Sequence, residues 1–316
     1  MSMRLLVATL LGVFAAVCHA QQRPTRVLVP FAPGGASDVY TRMATGKIAE
    51  LTGKTFVVEN RTGAGGRIAW EAAAKAPADG GTIVLIDATY PMLPGLFDKL
   101  GWDVSGDLVP AAMIALTPFV VVASTQSNLA TLPALIKEAR ARPGKLNYGS
   151  AGVGSVTHVV AALLLHNTRI DITHVPYKGM SDVSAALQGG QVDLMVAATP
   201  TALGAIRSGK AVPLAVSSSA RSPALPNVPT AMESGADYLV FNWFGFAVPK
   251  GTPKNLIDAL RDDVVRAMNT PDLGEKLSAQ GAQASADTAD QFAAFVRNET
   301  RRWTEVIKAS GIKVEQ

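Results

Sequence analysis

The chain has 316 residues with 29 Lys and Arg against 25 Asp and Glu, a formal net charge of +4. That charge is mild and no Lys/Arg run occurs, which argues against nucleic acid as a partner. The only cysteine is Cys18; once the leader described next is removed, disulfides and thiol catalysis are excluded.

MSMRLLVATLLGVFAAVCHA carries Arg4, an apolar stretch from Leu5 to Val17 and a small residue at Ala20. It reads as a secretory signal over residues 1–20, too short in its apolar part to span a bilayer. An exported chain without cysteine suits a bacterial periplasm. RVLVPFA (Arg26 to Ala32) predicts a strand stopped by Pro33-Gly34-Gly35. A helix follows, with Val39, Met43, Ile48 and Leu51 on its apolar face and Gly53 at its end. TFVVEN is a second strand, GAGGRIAWEAAAKA a glycine loop and helix, and TIVLIDAT a third strand. This β-α-β alternation implies a parallel sheet with helices on both faces.

The most apolar segment, Leu108 to Ala123, contains Pro110 and Pro118 and predicts two buried strands joined by a bend. A second α/β series follows. Thr131 caps a helix with Pro133 in its first turn. KLNYGSA and GVGSVTHVVAALLLHN give a strand, a glycine corner and an apolar helix; ITHVPYKG, SDVSAALQGG, QVDLMVAAT, PTALGAIRSG and AVPLAVSS continue the alternation. NWFGFAVPKGTP returns as a strand, with Trp243 and Phe244 assigned to core rather than hinge. The last helix shows Phe292, Phe295, Val296, Trp303, Val306 and Ile307 at helical spacing, with Gly311 after it. The fold class is therefore α/β and two-lobed: residues 21–123 plus 242–316 form lobe 1 and residues 124–241 lobe 2. The chain crosses near Thr117–Ser124 and Phe241–Val248, framing a hinged cleft.

Two glycine corners sit at strand ends, one in each lobe: Gly34-Gly35-Ala36-Ser37 and Gly149-Ser150-Ala151-Gly152-Val153-Gly154-Ser155. The N–H groups of a helix's first turn lack intrahelical partners and carry partial positive charge, so each corner is a candidate anion site. No GK[ST] ending marks a nucleotide phosphate loop, and the Gly63–Ile68 stretch fails the dinucleotide fingerprint at its sixth position. No cofactor is expected. A carboxylate needs less charge than a pyrophosphate, so several neutral donors from both lobes, or through water, suffice. Asp38 is expected to hold the loop's own amides. Asp193 either hydrogen-bonds within lobe 2 or faces solvent. Lys178 is either a cationic partner for ligand or an exposed loop lysine. Thr89 and Tyr90 are placed to line the cleft. Tyr148-Gly149-Ser150-Ala151-Gly152 resembles a hydrolase elbow, but Tyr148 stands where glycine is needed. Ser155 reads as a helix cap beside His158. His158, His166 and His174 are spaced as no compact metal set would be.

PFAPGGASDVYTR, ENRTGAGGRIAWEAAAKAPADGGTIVL, NYGSAGVGSVTHV, VPYKGMSDVSAALQGGQVDLM and LAVSSSARSPALPNVPTAMESG, taken in order, resemble the Bug-type solute receptors of tripartite tricarboxylate transporters. The resemblance covers essentially the whole chain after the leader. It implies a two-lobed periplasmic binding fold, without enzymatic activity, that closes on a small organic carboxylate (a di- or tricarboxylate, an amino acid or an aromatic acid). It implies a first-loop grip by Phe31, Gly34, Gly35, Ala36, Ser37 and Asp38, with Ser150, Ala151, Gly152, Gly154, Ser155 and His158 opposite, bridged by water. The receptor is expected to be a monomer that serves membrane transporter subunits. A membrane histidine kinase as partner, and more remotely a hydrolase using Ser150 or Ser155, are the alternatives.

Overall fold

The computed structural model describes residues 23–312. The leader, including Cys18, lies outside them. In lobe 1, β1 (Thr25–Val29), β2 (Phe56–Asn60) and β3 (Thr82–Asp87) run parallel, connected by α1 (Ala36–Thr52) and α2 (Arg67–Ala74). A short helix α3 (Leu93–Leu96) precedes β4 (Leu108–Ser124). Lobe 2 holds α4 (Leu132–Ala141), β5 (Asn147–Ser150), α5 (Val156–Thr168), β6 (Thr173–Pro176), α6 (Met180–Gln188), β7 (Leu194–Ala198), α7 (Thr199–Arg207) and β8 (Ala211–Val216). The chain returns through β9 (Phe241–Pro249), then α8 (Lys254–Met268), α9 (Pro271–Ala279), β10 (Gln283–Ala284) and α10 (Ala289–Ser310).

The hydrogen-bonded strand order is β2-β1-β3-β9-β4-β7-β5-β6, with β8 and β10 also pairing with β4. Both sheets are mixed, because β9 is antiparallel to β3 and β4, and β4 is antiparallel to β7 and β8. The expected bend at Leu108–Ala123 is instead one 17-residue strand. Its first part pairs with β9 in lobe 1 and its last part with β7 and β8 in lobe 2. Pro110 stands where the register with β9 slips, and Pro118 at the passage between sheets, places where a missing N–H is tolerated. β4 thus passes from one sheet into the other, and the chain re-enters the first sheet as β9.

Side chains alternate across each sheet, as a pleated strand requires. On β3, Ile83 and Leu85 pack toward α1 and α8 while Val84 and Ile86 pack toward α2 and α10. On β4, Val121 and Ala123 face α4 and α5 while Val120 and Val122 face α6 and α7. The predicted apolar face of α1 is displaced: Val39 and Leu51 are exposed, and Tyr40, Ala44 and Ile48 are buried. Small residues on that side let the helix sit close to the sheet, and Tyr40 packs on Phe244. Helix α10 is capped by a Thr288–Gln291 capping box and by left-handed Gly311. It does not belong to lobe 1 alone: Phe292 and Val296 enter a lobe 1 core, whereas Trp303 and Ile307 join the core of α4 and α5. Trp243 and Phe244 are core residues.

Candidate functional site

A cavity of about 850 Å³ opens between the lobes. Lobe 1 contributes the β1–α1 corner, the loop before α2, the end of β3 with α3, and Asn242 and Phe244. Lobe 2 contributes residues 151 and 153–156 and the start of α6.

The first corner is held from behind. Gly34 has φ +81°, in the left-handed region that favours glycine. Its N–H donates to Asp38 Oδ2 at 3.0 Å, and the same carboxylate accepts from Arg42 Nε and Asn60 Nδ2, each at 3.0 Å. Burial pushes the Asp38 carboxyl up, but the hydrogen bonds from Arg42, Gly34 and Asn60 outweigh it and hold the carboxyl at about 2. Neither Gly34, whose N–H is spent on Asp38, nor Asp38 lines this cavity, against the grip that the resemblance implies; Asp38 braces the loop, as its place in the first turn suggests. Gly35 differs from Gly34: its φ of −73° suits any residue, and an added Cβ would meet only Ala32 O at 3.5 Å. Its missing side chain serves access to the cavity, which it lines with Ala36 and Ser37. The N–H groups of Ala36 and Ser37 precede the first intrahelical bond, Val39 N–H to Gly35 O, and have no acceptor among the described residues.

The facing corner is built otherwise. Ala151 N–H donates to Thr157 Oγ1 at 3.0 Å, Gly152 N–H to Ser150 Oγ at 3.2 Å, Gly154 N–H to His158 Nδ1 at 3.1 Å and Ser155 N–H to Gly152 O at 3.2 Å. These amides are consumed by the protein itself, so they are free neither for a ligand nor for the bridging water that the resemblance implies. Ala151, Gly154 and Ser155 still line the cavity; Gly152 does not. Ser155 caps α5 by accepting from His158 N–H. Burial, then the neighbouring His174, lowers the His158 pKa to about 4, which leaves a neutral ring whose Nδ1 accepts from the loop. The His158 ring stacks on His174 at 3.9 Å behind the corner and does not line the cavity. Ser150 is fully buried, with Oγ 2.6 Å from His174 Nε2, a structural position and not a nucleophile's.

Within this corner the Val153 and Val156 N–H groups, which line the cavity, have no acceptor among the described residues, and further free donors of lobe 2 lie one corner on. Gly179, Met180 and Ser181 line the cavity, and the Met180 and Ser181 N–H groups precede the first bond of α6, Val183 N–H to Gly179 O. Sequence reasoning singled out the adjacent Lys178 instead. Lys178 is exposed and lines no part of the cavity. The pattern strand–Gly–helix, already used for the other corners, was the signal that marked Gly179.

Two further candidates, Tyr90 and Asp193, do not line the cavity. Tyr90 is buried, stacked on Trp102, with its hydroxyl donating to Val104 O at 2.7 Å; it is core, while Thr89 and Phe31 do reach the cavity. Asp193 accepts from Asn147 N–H at 2.7 Å and pins β5 beside β7, far from any ligand role. Two charged residues were missed. Asp87, buried at the end of β3, accepts from Ser37 Oγ at 3.2 Å and Thr89 N–H at 3.0 Å. Burial raises its carboxyl to about 6 against the pull of those hydrogen bonds. Among the described residues lining this cavity, Arg67, at the start of α2, is the one cation and Asp87 the one anion. No group of three or more metal-ligating side chains occurs among the described residues.

A family model described as "Tripartite tricarboxylate transporter family receptor" (TctC) matches residues 40–312. The chain belongs to this family. The TctC match agrees with the chain's similarity to protein BugT of Bordetella pertussis, 36% identical over 93% of this chain and 91% of that one. Among solved structures it is similar to Rhodopseudomonas palustris Rpa4515 with adipate (TM-score 0.84, 31% identity, 93% of this chain and 99% of that one). It is likewise similar to the periplasmic binding protein BugD (0.80, 31%, 93% and 99%). A further likeness is to MatC of R. palustris with bound malate (0.80, 32%, 91% and 99%). The TctC-family fold is the two-lobed α/β fold of periplasmic binding proteins, and the protein is a periplasmic solute receptor and not an enzyme. No helix among its described residues is long and apolar enough to cross a membrane.

Proposed function

We propose that this receptor captures a small organic carboxylate in the interlobe cavity and delivers it to membrane transporter subunits after export through a cleaved leader. One carboxylate sits on the Ala36 and Ser37 N–H groups of α1. The Met180 and Ser181 N–H groups of α6 reach it from the other wall, directly or through water. The observation that carries this reading is that unpaired first-turn donors of two helices, one per lobe, line a single cavity. A helix start contributes on the order of 0.3–2 kcal/mol toward an anion, whereas removing a carboxylate from water costs several kcal/mol. One corner alone is too weak, so the anion is held only when both walls contact it. Ligand then shifts the lobes toward the closed arrangement through its differential contacts, with β4 and β9 as the crossings about which they move. Adipate in Rpa4515 and malate in MatC support a carboxylate as the ligand class.

The test is a thermal-shift panel of mono-, di- and tricarboxylates, amino acids and aromatic acids on protein refolded from denaturant to strip any bound ligand. A ligand at a hundredfold its Kd adds about 2.7 kcal/mol, or roughly 4 °C for a chain of this size. A panel in which no acid moves the transition contradicts the reading.

A further inference from the structure

We propose that Arg67 is a second anion anchor in this cleft, so that the ligand is a dicarboxylate whose two acid groups are joined by an apolar aliphatic or aromatic spacer. The inference rests on the reading of the cleft as a carboxylate site and names the class of acid it selects.

Arg67 is the first residue of α2, after left-handed Gly66. A positive charge at a helix start opposes the helix dipole, so the residue stands against the local electrostatic preference. Residues that break a local rule are expected at functional positions. Its guanidinium is held in two ways. Nε donates to Ala64 O at 3.1 Å, and the guanidinium carbon lies 4.2 Å over the centre of the Phe97 ring. That bond to Ala64 is its one hydrogen bond among the described residues, and both Nη groups stay available. A planar guanidinium with its plane and stem already fixed presents a fork that matches a carboxylate's two oxygens with little further ordering.

Asp87 forms no ion pair with it. That carboxylate is engaged by Ser37 Oγ and Thr89 N–H at the end of β3. The two anchors belong to neighbouring strands: the Ala36–Ser37 donors follow β1, Arg67 follows β2, and β1 and β2 pair directly. Around them the lobe 1 lining is apolar, through Phe31, Leu93, Leu96, Phe97 and Phe244. Such a wall suits methylenes or a ring between the two acid groups. A monocarboxylate would leave the Arg67 fork unpaired.

The test is isothermal titration of refolded wild type, Arg67→Gln and Arg67→Lys with the matched six-carbon acids adipate and hexanoate, and with terephthalate and benzoate. In wild type the diacid of at least one pair binds more tightly than its monoacid partner. Hydrogen bonds to a charged group support a loss of at least about tenfold in that preference in Arg67→Gln, with an intermediate loss in Arg67→Lys, which keeps the charge and lacks the fork. Equal affinity for diacid and monoacid in both pairs, or an undiminished preference in Arg67→Gln, overturns the proposal and leaves the receptor reading standing. So does a wild type that binds monocarboxylates or tricarboxylates of the wider panel but no dicarboxylate. Binding of no acid at all removes both.

Discussion

Replacing Asp87 with Asn should stabilise the ligand-free protein at neutral pH by an amount that depends on pH in one direction only. The folded chain raises the Asp87 carboxyl from an ordinary 3.8 to about 6, with burial the largest cause. A raised carboxyl binds its proton more tightly in the folded than in the unfolded state. Stability contributed by this group is therefore gained as pH falls from about 6 toward 3.8, and lost as pH rises through 6. The gap between those values corresponds to about 3 kcal/mol, at about 1.4 kcal/mol per pH unit. Asn is neutral throughout. Its oxygen can accept from Thr89 N–H and its amide can donate to Ser37 Oγ, so the local hydrogen bonds survive. Urea unfolding of both proteins from pH 4 to pH 8 reads the difference, in which all other titrating groups cancel. The Asn variant should gain about 2.4 kcal/mol on wild type between pH 4 and pH 8, the rest of the difference lying below pH 4. A difference that is flat with pH, or that runs the other way, would refute a buried, partly desolvated carboxylate at the cavity floor.

The same carboxylate repels an anion bound beside Ser37 once it is ionised. Wild-type affinity for a bound carboxylate should rise as pH is lowered from 8 through 6, and calorimetry on Asp87→Asn should show that dependence flattened; an unchanged profile counts against the placement. Gly35→Val should fold, since its φ is ordinary and its Cβ meets only Ala32 O, yet its side chain enters the cavity. Carboxylate-dependent thermal shifts should vanish while the ligand-free Tm stays within a few degrees, and surviving binding would move the anion site elsewhere. Trp303→Ala removes a fully buried ring whose Nε1 donates to Glu299 at 2.8 Å. It should cost about 3–5 kcal/mol in urea unfolding, and a loss below about 1 kcal/mol would deny that α10 ties lobe 2 to lobe 1. Mass spectrometry of periplasmic protein should give a chain beginning at Gln21, and retention of Met1 contradicts a cleaved leader.

The alternation of strands and helices was readable because β-branched runs and glycine or proline stops punctuate the chain at nearly every junction. The β1–α1 corner was readable for the same reason, and so was the bracing role of Asp38, because a first-turn carboxylate beside glycines has few other uses. What escaped were properties set by tertiary folding-back. Ala151, Gly152 and Gly154 look like free donors in sequence, and only the return of Thr157, Ser150 and His158 onto their own loop satisfies them. Asp87 reads as the polar end of an apolar strand until Ser37, fifty residues earlier, is laid on it. Arg67 was hidden in a glycine stretch weighed only as a nucleotide fingerprint. Lys178 stands out by its charge, although the residues just after it, Gly179 to Ser181, are the ones that line the interlobe cavity. The unbroken β4 was masked by its prolines, which signal a bend in isolation but sit harmlessly at a register slip and at a junction of two sheets.

The most direct test of carboxylate capture by peptide donors is a crystal structure of the receptor with the acid that gives the largest thermal shift. The account predicts carboxylate oxygens within about 3.2 Å of the Ala36 and Ser37 nitrogens, with the start of α6 closing from the opposite wall. An acid seated outside the interlobe cavity, or inside it with those nitrogens facing only solvent, would contradict it.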